Sequence, residues 1–284
     1  MKLCRYGKIG SEKPGMIDGD GRLRDLSGII GNIGADEISP SSLRKLSRVK
    51  PETLPLVNGS PRLGVPYTGI GKFVAIGLNY SDHAREAGLP LPSEPVVFLK
   101  AITCISGPND DIIQPRTSTK LDWEVELAAV IGTRARYVTE AKALDHVAGY
   151  CIVNDVSERA FQMATSQWDK GKGFDTAGPI GPWLVTSDEI RDPQSLDMAL
   201  EVNGKRMQSG NTRTMVFSVA KIISHLSEYM TLLPGDIIAT GTPPGVGLGM
   251  KPTPVFLKPG DELRLTIEGL GEQRQKVVAD QRHD

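Results

Sequence analysis

The fold is decided by residues 122–131, DWEVELAAVI. Written as a β-strand, this stretch places Trp123 and Val125 on one face and both glutamates, Glu124 and Glu126, on the other. The glutamate face turns apolar at Ala128, whereas a solvated face would stay polar along its length. Two carboxylates on a partly buried face repel each other unless a positive charge lies between them.

The paired glutamates have two interpretations. Their backbone positions are about 7 Å apart, so both carboxylates can converge on one cation, or both can face water on an edge strand. A third carboxylate favours the first, because the apolar run VAGYCIV at residues 147–153 ends abruptly at Asn154-Asp155. Strand ends carry functional groups, since the scaffold fixes them while the loop leaves access. Glu124, Glu126 and Asp155 therefore predict an all-oxygen site for Mg²⁺, with Mn²⁺ as the alternative.

The remainder of the chain predicts an α+β fold dominated by short strands. Beyond residue 72, brief apolar runs alternate with Gly and Pro, at residues 73–76, 96–99, 183–185, 237–239 and 263–267. The clearest helix spans residues 215–230, whose apolar positions form one stripe. Gly269-Leu270-Gly271 predicts a closing hairpin.

Residues 1–68 are predicted to form a small N-terminal domain, and residues 69–284 the larger domain. Gly19-Asp20-Gly21 separates two strand-like runs, which is a hairpin signal. Ser39 is a suitable N-cap for a helix through about Val49, with Pro40 in its first turn. Residues 51–66 are rich in Pro and Gly and are predicted to connect the two domains.

Charge and apolar content argue against several classes of partner. The net charge is −1 and the basic residues are scattered, which favours neither nucleic acid nor an anionic membrane. The N-terminus lacks the apolar run of a signal peptide, and no stretch approaches the roughly 18–20 apolar residues of a membrane span. Cys4, Cys104 and Cys151 are isolated and are interpreted as reduced, mostly buried thiols. A cytoplasmic location is the resulting expectation.

Three polar side chains follow the predicted metal site. If the segment after Asp155 is helical, Arg159 and Gln162 lie three apart on one face. Lys172 lies between two glycines and is predicted in a loop. It is either ordinary surface charge or, beside a metal, a partner for the carboxylate or enolate of a substrate.

His83 is the candidate general base. Residues 79–88 predict a short helix with Ser81 as its N-cap and Gly88 as its stop. His83 and Glu86 are three apart, so the carboxylate can fix the imidazole tautomer and raise its basicity. The alternative is a surface pair without a catalytic role. The other three histidines are interpreted as structural or solvated.

Six motifs in this order resemble the fumarylacetoacetate hydrolase family. They lie at residues 77–83, 98–100, 122–127, 148–157, 171–176 and 235–243. The resemblance implies a β-rich catalytic fold, a mixed sandwich or roll, that usually forms homodimers. It implies Glu124, Glu126 and Asp155 as metal ligands. Where the larger fumarylacetoacetate enzyme has a fourth acidic ligand, Ile76 stands here, and we expect water to complete the coordination.

The sequence is also similar to the branch of this family that acts on 2,4-diketo-3-deoxy sugar acids. That likeness implies hydrolysis of the C3–C4 bond of a small keto acid, with release of pyruvate. The family resemblance supports the His83–Glu86 pair as the base. Our hypothesis adds Lys172 to these two in catalysis and assigns substrate binding to Arg159, Gln162 and Thr242. The alternatives are an acylpyruvase, a keto-acid decarboxylase or isomerase, and a non-catalytic protein that binds a metal or a keto acid.

Overall fold

The structure, a computed structural model, describes residues 1–88 and 90–281, with the backbone alone at residues 83, 84 and 87. The strands in this part of the chain are β1 (Lys2–Tyr6), β2 (Lys13–Ile17), β3 (Leu23–Asp25), β4 (Phe73–Gly77), β5 (Val96–Lys100), β6 (Ile105–Ser106), β7 (Ile112–Gln114), β8 (Leu121–Asp122), β9 (Val125–Ile131), β10 (Val147–Asn154), β11 (Ser157–Glu158), β12 (Gly178–Thr186), β13 (Asp197–Val202), β14 (Lys205–Asn211), β15 (Ile237–Ala239), β16 (Glu262–Ile267) and β17 (Gly271–Ala279). The α-helices are α1 (Pro40–Leu46), α2 (Ser81–Ala87), α3 (Glu140–Ala143), α4 (Arg159–Gln162), α5 (Asp169–Lys172) and α6 (Val219–Tyr229). The predicted β-rich α+β fold is confirmed.

Strand β9 lies inside the larger sheet. The order of that sheet is β3-β2-β1-β12-β10-β9-β15-β4-β5, and β6 pairs with β12 outside this path. β9 is antiparallel to both β10 and β15. All seven of its residues are buried, which fits its nearly continuous apolar run. The strand predicted around residues 122–131 is confirmed, and it begins at Val125.

Two smaller sheets complete the architecture of the described residues. One has the order β14-β13-β16-β17-β7, and its β16–β17 pair closes at the predicted hairpin. The other pairs β8 with β11 and sets Ser157 opposite Asp122. This short pairing places Arg159, the first residue of α4, close to Asp122.

The N-terminal segment joins the larger sheet. Its predicted hairpin is confirmed as the antiparallel β2–β3 pair. Helix α1 begins at Pro40 with the Ser39 side chain as its N-cap, and it ends at Leu46, earlier than predicted. β1 pairs with β12, with Lys2 opposite Val185. The division of the chain at residue 68 stays a prediction.

Helix α6 is shorter than its apolar stripe predicts. The side chain of Ser218 accepts a hydrogen bond from the backbone N–H of Lys221, which makes it the N-cap, so the helix begins at Val219 rather than near residue 215. In the part of the chain that the structure describes, no helix combines the length and apolar character needed to cross a membrane. The three cysteines are buried and free, as predicted.

Candidate active site

Three carboxylates converge where two central strands of the larger sheet meet. Glu124 directly precedes β9, Glu126 lies in it, and Asp155 directly follows β10. The backbone N–H of Asp155 donates to the carbonyl of Glu124 at 2.9 Å, which joins the two segments. One oxygen from each carboxylate lies within 4.8 Å of the others, and all three residues are buried. The predicted convergence is therefore present, and an all-carboxylate donor set suits a hard divalent cation.

Two lysines contact this acidic cluster. Lys172 Nζ donates to Glu124 Oε2 at 2.7 Å and to Asp155 Oδ2 at 2.8 Å. Lys100 Nζ donates to Asp155 Oδ1 at 2.6 Å and also bonds the backbone carbonyl of Lys172. The prediction that Lys172 lies in a loop was wrong: it is the last residue of helix α5 and is buried. Lys100 received no role from the sequence, although it ends the apolar run of β5.

Arg159 connects the cluster to a fourth buried carboxylate. Its Nε donates to Asp122 Oδ2 at 2.8 Å and its Nη2 to Glu124 Oε1 at 2.6 Å. Its Nη1 donates to Gln162 Oε1 at 3.0 Å, so the two residues predicted on one helical face do touch. The sequence assigned no role to Asp122, which also accepts hydrogen bonds from the backbone N–H groups of Gly247 and Leu248.

Opposite pKa shifts distinguish the two glutamates. Burial opposes the charge of Glu124, but Lys172 and Arg159 outweigh it and lower its pKa to about 2. Burial raises the pKa of Glu126 well above its usual value, and the charges of Asp155 and Glu124 add to the rise. Burial lowers the pKa of Lys172, but Asp155 and Glu124 outweigh it and raise that pKa overall. Without a further cation, Glu126 is therefore the carboxyl group that favours its protonated form.

The charges of the cluster do not balance. Its buried carboxylates are Asp122, Glu124, Glu126 and Asp155, and its buried cations are Lys100, Arg159 and Lys172. Four acidic groups thus face three basic ones, and ionisation of Glu126 would leave one negative charge unbalanced. A divalent cation beside Glu126 would meet that unbalanced charge, so the residues present fit a bound metal ion.

Thr242 lies in the turn that follows β15, and this turn contacts Glu126. Its hydroxyl donates to the carbonyl of Val125 at 2.9 Å and accepts from Gln208 Nε2 at 2.8 Å. The neighbouring backbone N–H of Gly241 donates to Glu126 Oε2 at 2.8 Å. The turn therefore fixes one of the three carboxylates directly.

A cavity of about 380 Å³ opens at the carboxylates. Much of its wall is apolar, and the rings of Phe98 and Trp168 meet there edge to face with centroids 5.4 Å apart. Glu86 lines the cavity from helix α2 and accepts a hydrogen bond from the N–H of Gly245 at 3.2 Å. The side chain of His83 lies outside what the structure describes, so its pairing with Glu86 stays a prediction.

The cavity brings most of the predicted residues into one site. It is lined by Glu86, Glu124, Glu126, Asp155, Arg159, Gln162, Lys172 and Thr242. Ile76 also lines it, at the place where the family resemblance puts a fourth acidic ligand. The roles of these residues stay predictions, whereas their proximity is an observation.

Known proteins share this fold over nearly the whole chain. A protein of Burkholderia multivorans, described provisionally as a hydrolase, is 62% identical over 280 residues, which cover 98% of this chain and 99% of its own. A fumarylacetoacetate hydrolase from psychrophilic Exiguobacterium antarcticum superposes with a TM-score of 0.87 at 37% identity, over 98% of this chain and 99% of that one. A maleylpyruvate hydrolase from Sphingobium, solved with a manganese(II) ion and pyruvate, gives a TM-score of 0.83 at 31% identity, over 99% of this chain and 100% of that one.

The fold and the site define a β-rich enzyme with a buried carboxylate centre suited to a divalent metal ion. The family model described as fumarylacetoacetate (FAA) hydrolase C-terminal matches residues 72–278. The chain belongs to the fumarylacetoacetate hydrolase family, as its motifs indicated.

Proposed function

We propose that this protein is a metal-dependent hydrolase that cleaves the C3–C4 bond of a 2,4-diketo acid, releasing pyruvate and a second small acid. The observation that carries the proposal is the convergence of Glu124, Glu126 and Asp155, with Lys172 beside them, on one cavity. The manganese and pyruvate bound to the maleylpyruvate hydrolase support this reading.

The proposed metal ion is Mg²⁺, with Mn²⁺ as the alternative. When bound by Glu124, Glu126 and Asp155, it supplies Lewis-acid stabilisation of the negative charge that develops on the departing keto acid. All three ligands are carboxylates, which both ions accept.

The acid end of the substrate is proposed to lie against Lys172, Gln162 and Arg159. The Lys172 ammonium lines the cavity and already bonds two carboxylates, so it is placed to neutralise a third that enters beside them. Gln162 is held by Arg159 through its Oε1, which directs its amide group within the site. Thr242 is proposed to contribute a further hydrogen bond to the substrate.

The proton acceptor is proposed to be His83, supported by Glu86. Glu86 lies in the cavity wall on helix α2, and its carboxylate accepts a hydrogen bond from the N–H of Gly245, in the glycine-rich loop at residues 245–249. An imidazole next to this carboxylate would take a proton from water, whose oxygen then attacks the C4 carbonyl. The C3–C4 bond then breaks, C4 leaves as the carboxyl carbon of the second acid, and C3 of the departing pyruvate enolate takes up a proton.

The group beyond C4 separates two candidate substrates. Family resemblance favours a 2,4-diketo-3-deoxy sugar acid. The cavity wall favours a more apolar acyl group, because Leu78, Phe98, Trp168 and Leu248 offer few hydrogen bonds to hydroxyl groups. Acylpyruvate hydrolysis is therefore the second candidate function of the same site.

A pyruvate-release assay tests the proposal. The purified protein would be incubated with acylpyruvates, with 2,4-diketo-3-deoxy sugar acids and with oxaloacetate, in Mg²⁺ or Mn²⁺ and in excess EDTA. We expect metal-dependent pyruvate from at least one diketo acid and none from the Glu126→Gln variant. Carbon dioxide from oxaloacetate without cleavage of any diketo acid would contradict hydrolysis. Binding of a keto acid without any turnover would favour a non-catalytic role.

A second copy of the chain is the proposed macromolecular partner. Strand β5 is an edge of the larger sheet, and Val97, Leu99 and nearby Ile102 expose apolar side chains there. Such an edge is a typical surface for self-association. Light scattering after size exclusion should give a dimer mass, and Leu99→Lys should shift it towards the monomer. The cytoplasmic location and the lack of nucleic-acid or membrane partners stay predictions.

A further inference from the structure

Gln208 is a fully buried amide in the second sheet. It lies on β14, opposite Leu200 of β13, at a position where an apolar side chain would be expected. Its Oε1 accepts from the backbone N–H of Val125 at 3.0 Å. Its Nε2 donates to Thr242 Oγ1 at 2.8 Å and to the Pro243 carbonyl at 2.8 Å. Both amide hydrogens are thus used, and each bond reaches another segment of the chain.

Of the two segments that Gln208 joins, one carries two of the three proposed metal ligands and the other supports Glu126. Val125 stands between Glu124 and Glu126. Thr242 follows Gly241, whose N–H donates to Glu126 Oε2. Strand β15 ends at Ala239, which lies opposite Ala128 of β9. The pairing of β15 with β9 therefore does not extend to Val125. Beyond the end of this strand pairing, the Gln208 amide links the two segments by hydrogen bonds.

We propose that Gln208 is a positioning residue for the metal site: it holds the Glu124–Glu126 backbone and the Gly241–Thr242 turn at a fixed separation and thereby sets the affinity for the divalent cation. This inference rests on the proposed metal-dependent function. Groups that orient metal ligands typically change metal affinity by about 10–100-fold when removed.

Thr212 offers a matched control for the loss of a buried polar group. It is fully buried just beyond β14, and its hydroxyl accepts from the backbone N–H of Leu196 at 2.9 Å. Thr212→Val removes one buried acceptor of a backbone N–H without touching the carboxylate cluster. Gln208→Met keeps the length of the side chain and removes its hydrogen bonds.

The experiment measures Mn²⁺ binding by calorimetry on the full-length protein, with folding checked by circular dichroism and thermal denaturation. We expect Gln208→Met to raise the dissociation constant of Mn²⁺ at least about tenfold. The Mn²⁺ dissociation constant of Thr212→Val should stay within about twofold of the wild-type value, even if this variant lowers the melting temperature as much as Gln208→Met does. If Gln208→Met does not fold, Gln208→Asn takes its place in the experiment. Asparagine keeps an amide but is one methylene too short to reach both segments, so we expect the same loss of Mn²⁺ affinity.

A wild-type dissociation constant in a folded Gln208 variant would overturn the positioning role alone. An equal loss of affinity in Thr212→Val would also overturn it, because general destabilisation would then explain both. A wild-type protein that does not bind Mn²⁺ at all would overturn the proposed metal dependence and this inference together.

Discussion

Lys172 bridges two of the three proposed metal ligands: its Nζ lies 2.7 Å from Glu124 Oε2 and 2.8 Å from Asp155 Oδ2. Both carboxylates are buried, so the ammonium group offsets charge that water cannot screen. A divalent cation that binds the same oxygens approaches close to this ammonium group. Lys172 therefore stabilises the metal-free site and opposes the metal ion, while it remains available to an anionic substrate.

Replacing Lys172 by Met should separate these effects. In EDTA, the variant should lose about 3–5 kcal/mol of unfolding free energy, the usual cost of removing one partner of a buried ion pair. Added Mn²⁺ should raise its melting temperature more than it raises that of the wild type, because the competing ammonium is gone. Turnover should be lost. Lys170→Met is the control, since Lys170 is exposed on the same helix. Equal metal-induced shifts in the wild type and Lys172→Met would contradict competition.

The two glutamates should respond oppositely to neutral substitution. Glu124 has a pKa lowered from 4.5 to about 2, so its stabilising contribution is present above about pH 4.5 and is lost as the pH falls towards 2. Each pH unit by which the pKa is lowered corresponds to about 1.4 kcal/mol, so Glu124→Gln should lower the unfolding free energy by about 3 kcal/mol at neutral pH. Urea denaturation in EDTA at pH 7 measures this loss.

Glu126 has a raised pKa, so its ionisation destabilises the folded protein progressively as the pH rises from the unfolded value through the folded one. Glu126→Gln cannot ionise. In EDTA it should therefore be more stable than the wild type at pH 8, with the difference shrinking towards pH 4. Both variants should lose Mn²⁺ binding. If the two substitutions destabilise the metal-free protein alike, the assignment of the proton to Glu126 is wrong.

The sequence predicted the strands and the acidic triad because both depend on local pattern. Val125–Ile131 is apolar at nearly every position, and Asp155 directly follows a second buried run. Lys100 and Gln208 escaped prediction because their partners are distant in the chain: Lys100 bonds Asp155 and Gln208 bonds Val125 only after the sheets assemble. For Lys100 the available signal was its position at the end of the apolar run of β5. Gln208 lies in the polar segment KRMQSGN of β14, where nothing in the local pattern marks it. Gly residues on both sides of Lys172 suggested a loop, but the segment forms a helical turn.

Asp122 should hold in place the loop at residues 245–249, which lines the cavity. Its Oδ1 accepts from Gly247 N at 2.6 Å, and its Oδ2 accepts from Leu248 N at 2.9 Å and from Arg159 Nε at 2.8 Å. Asp122→Asn replaces one acceptor by an N–H donor that faces other donors. We expect faster amide hydrogen exchange at Gly247 and Leu248, and a fall in kcat/KM of about 10–100-fold.

Asp110→Asn provides a comparison away from the cavity. Asp110 likewise accepts from a backbone N–H, that of Gly107 at 2.8 Å, and pairs with an arginine, Arg62. This variant should keep the wild-type exchange rates at Gly247 and Leu248. If the Asp110 and Asp122 variants slow turnover equally, the specific link between Asp122 and the loop is refuted.

Gly171 sets how closely helices α4 and α5 approach. A Cβ atom at this position would lie 2.4 Å from the backbone nitrogen of Gln162, so the two helices would have to separate. Gly171→Ala should cost about 1–3 kcal/mol of unfolding free energy as overpacking. It should also lower kcat/KM, because the helices carry Gln162 and Lys172 into the cavity. Gly28→Ala is the control, since a Cβ there meets no other atom within 4 Å. Wild-type stability and turnover in Gly171→Ala would show that this close contact does not hold Lys172 in place.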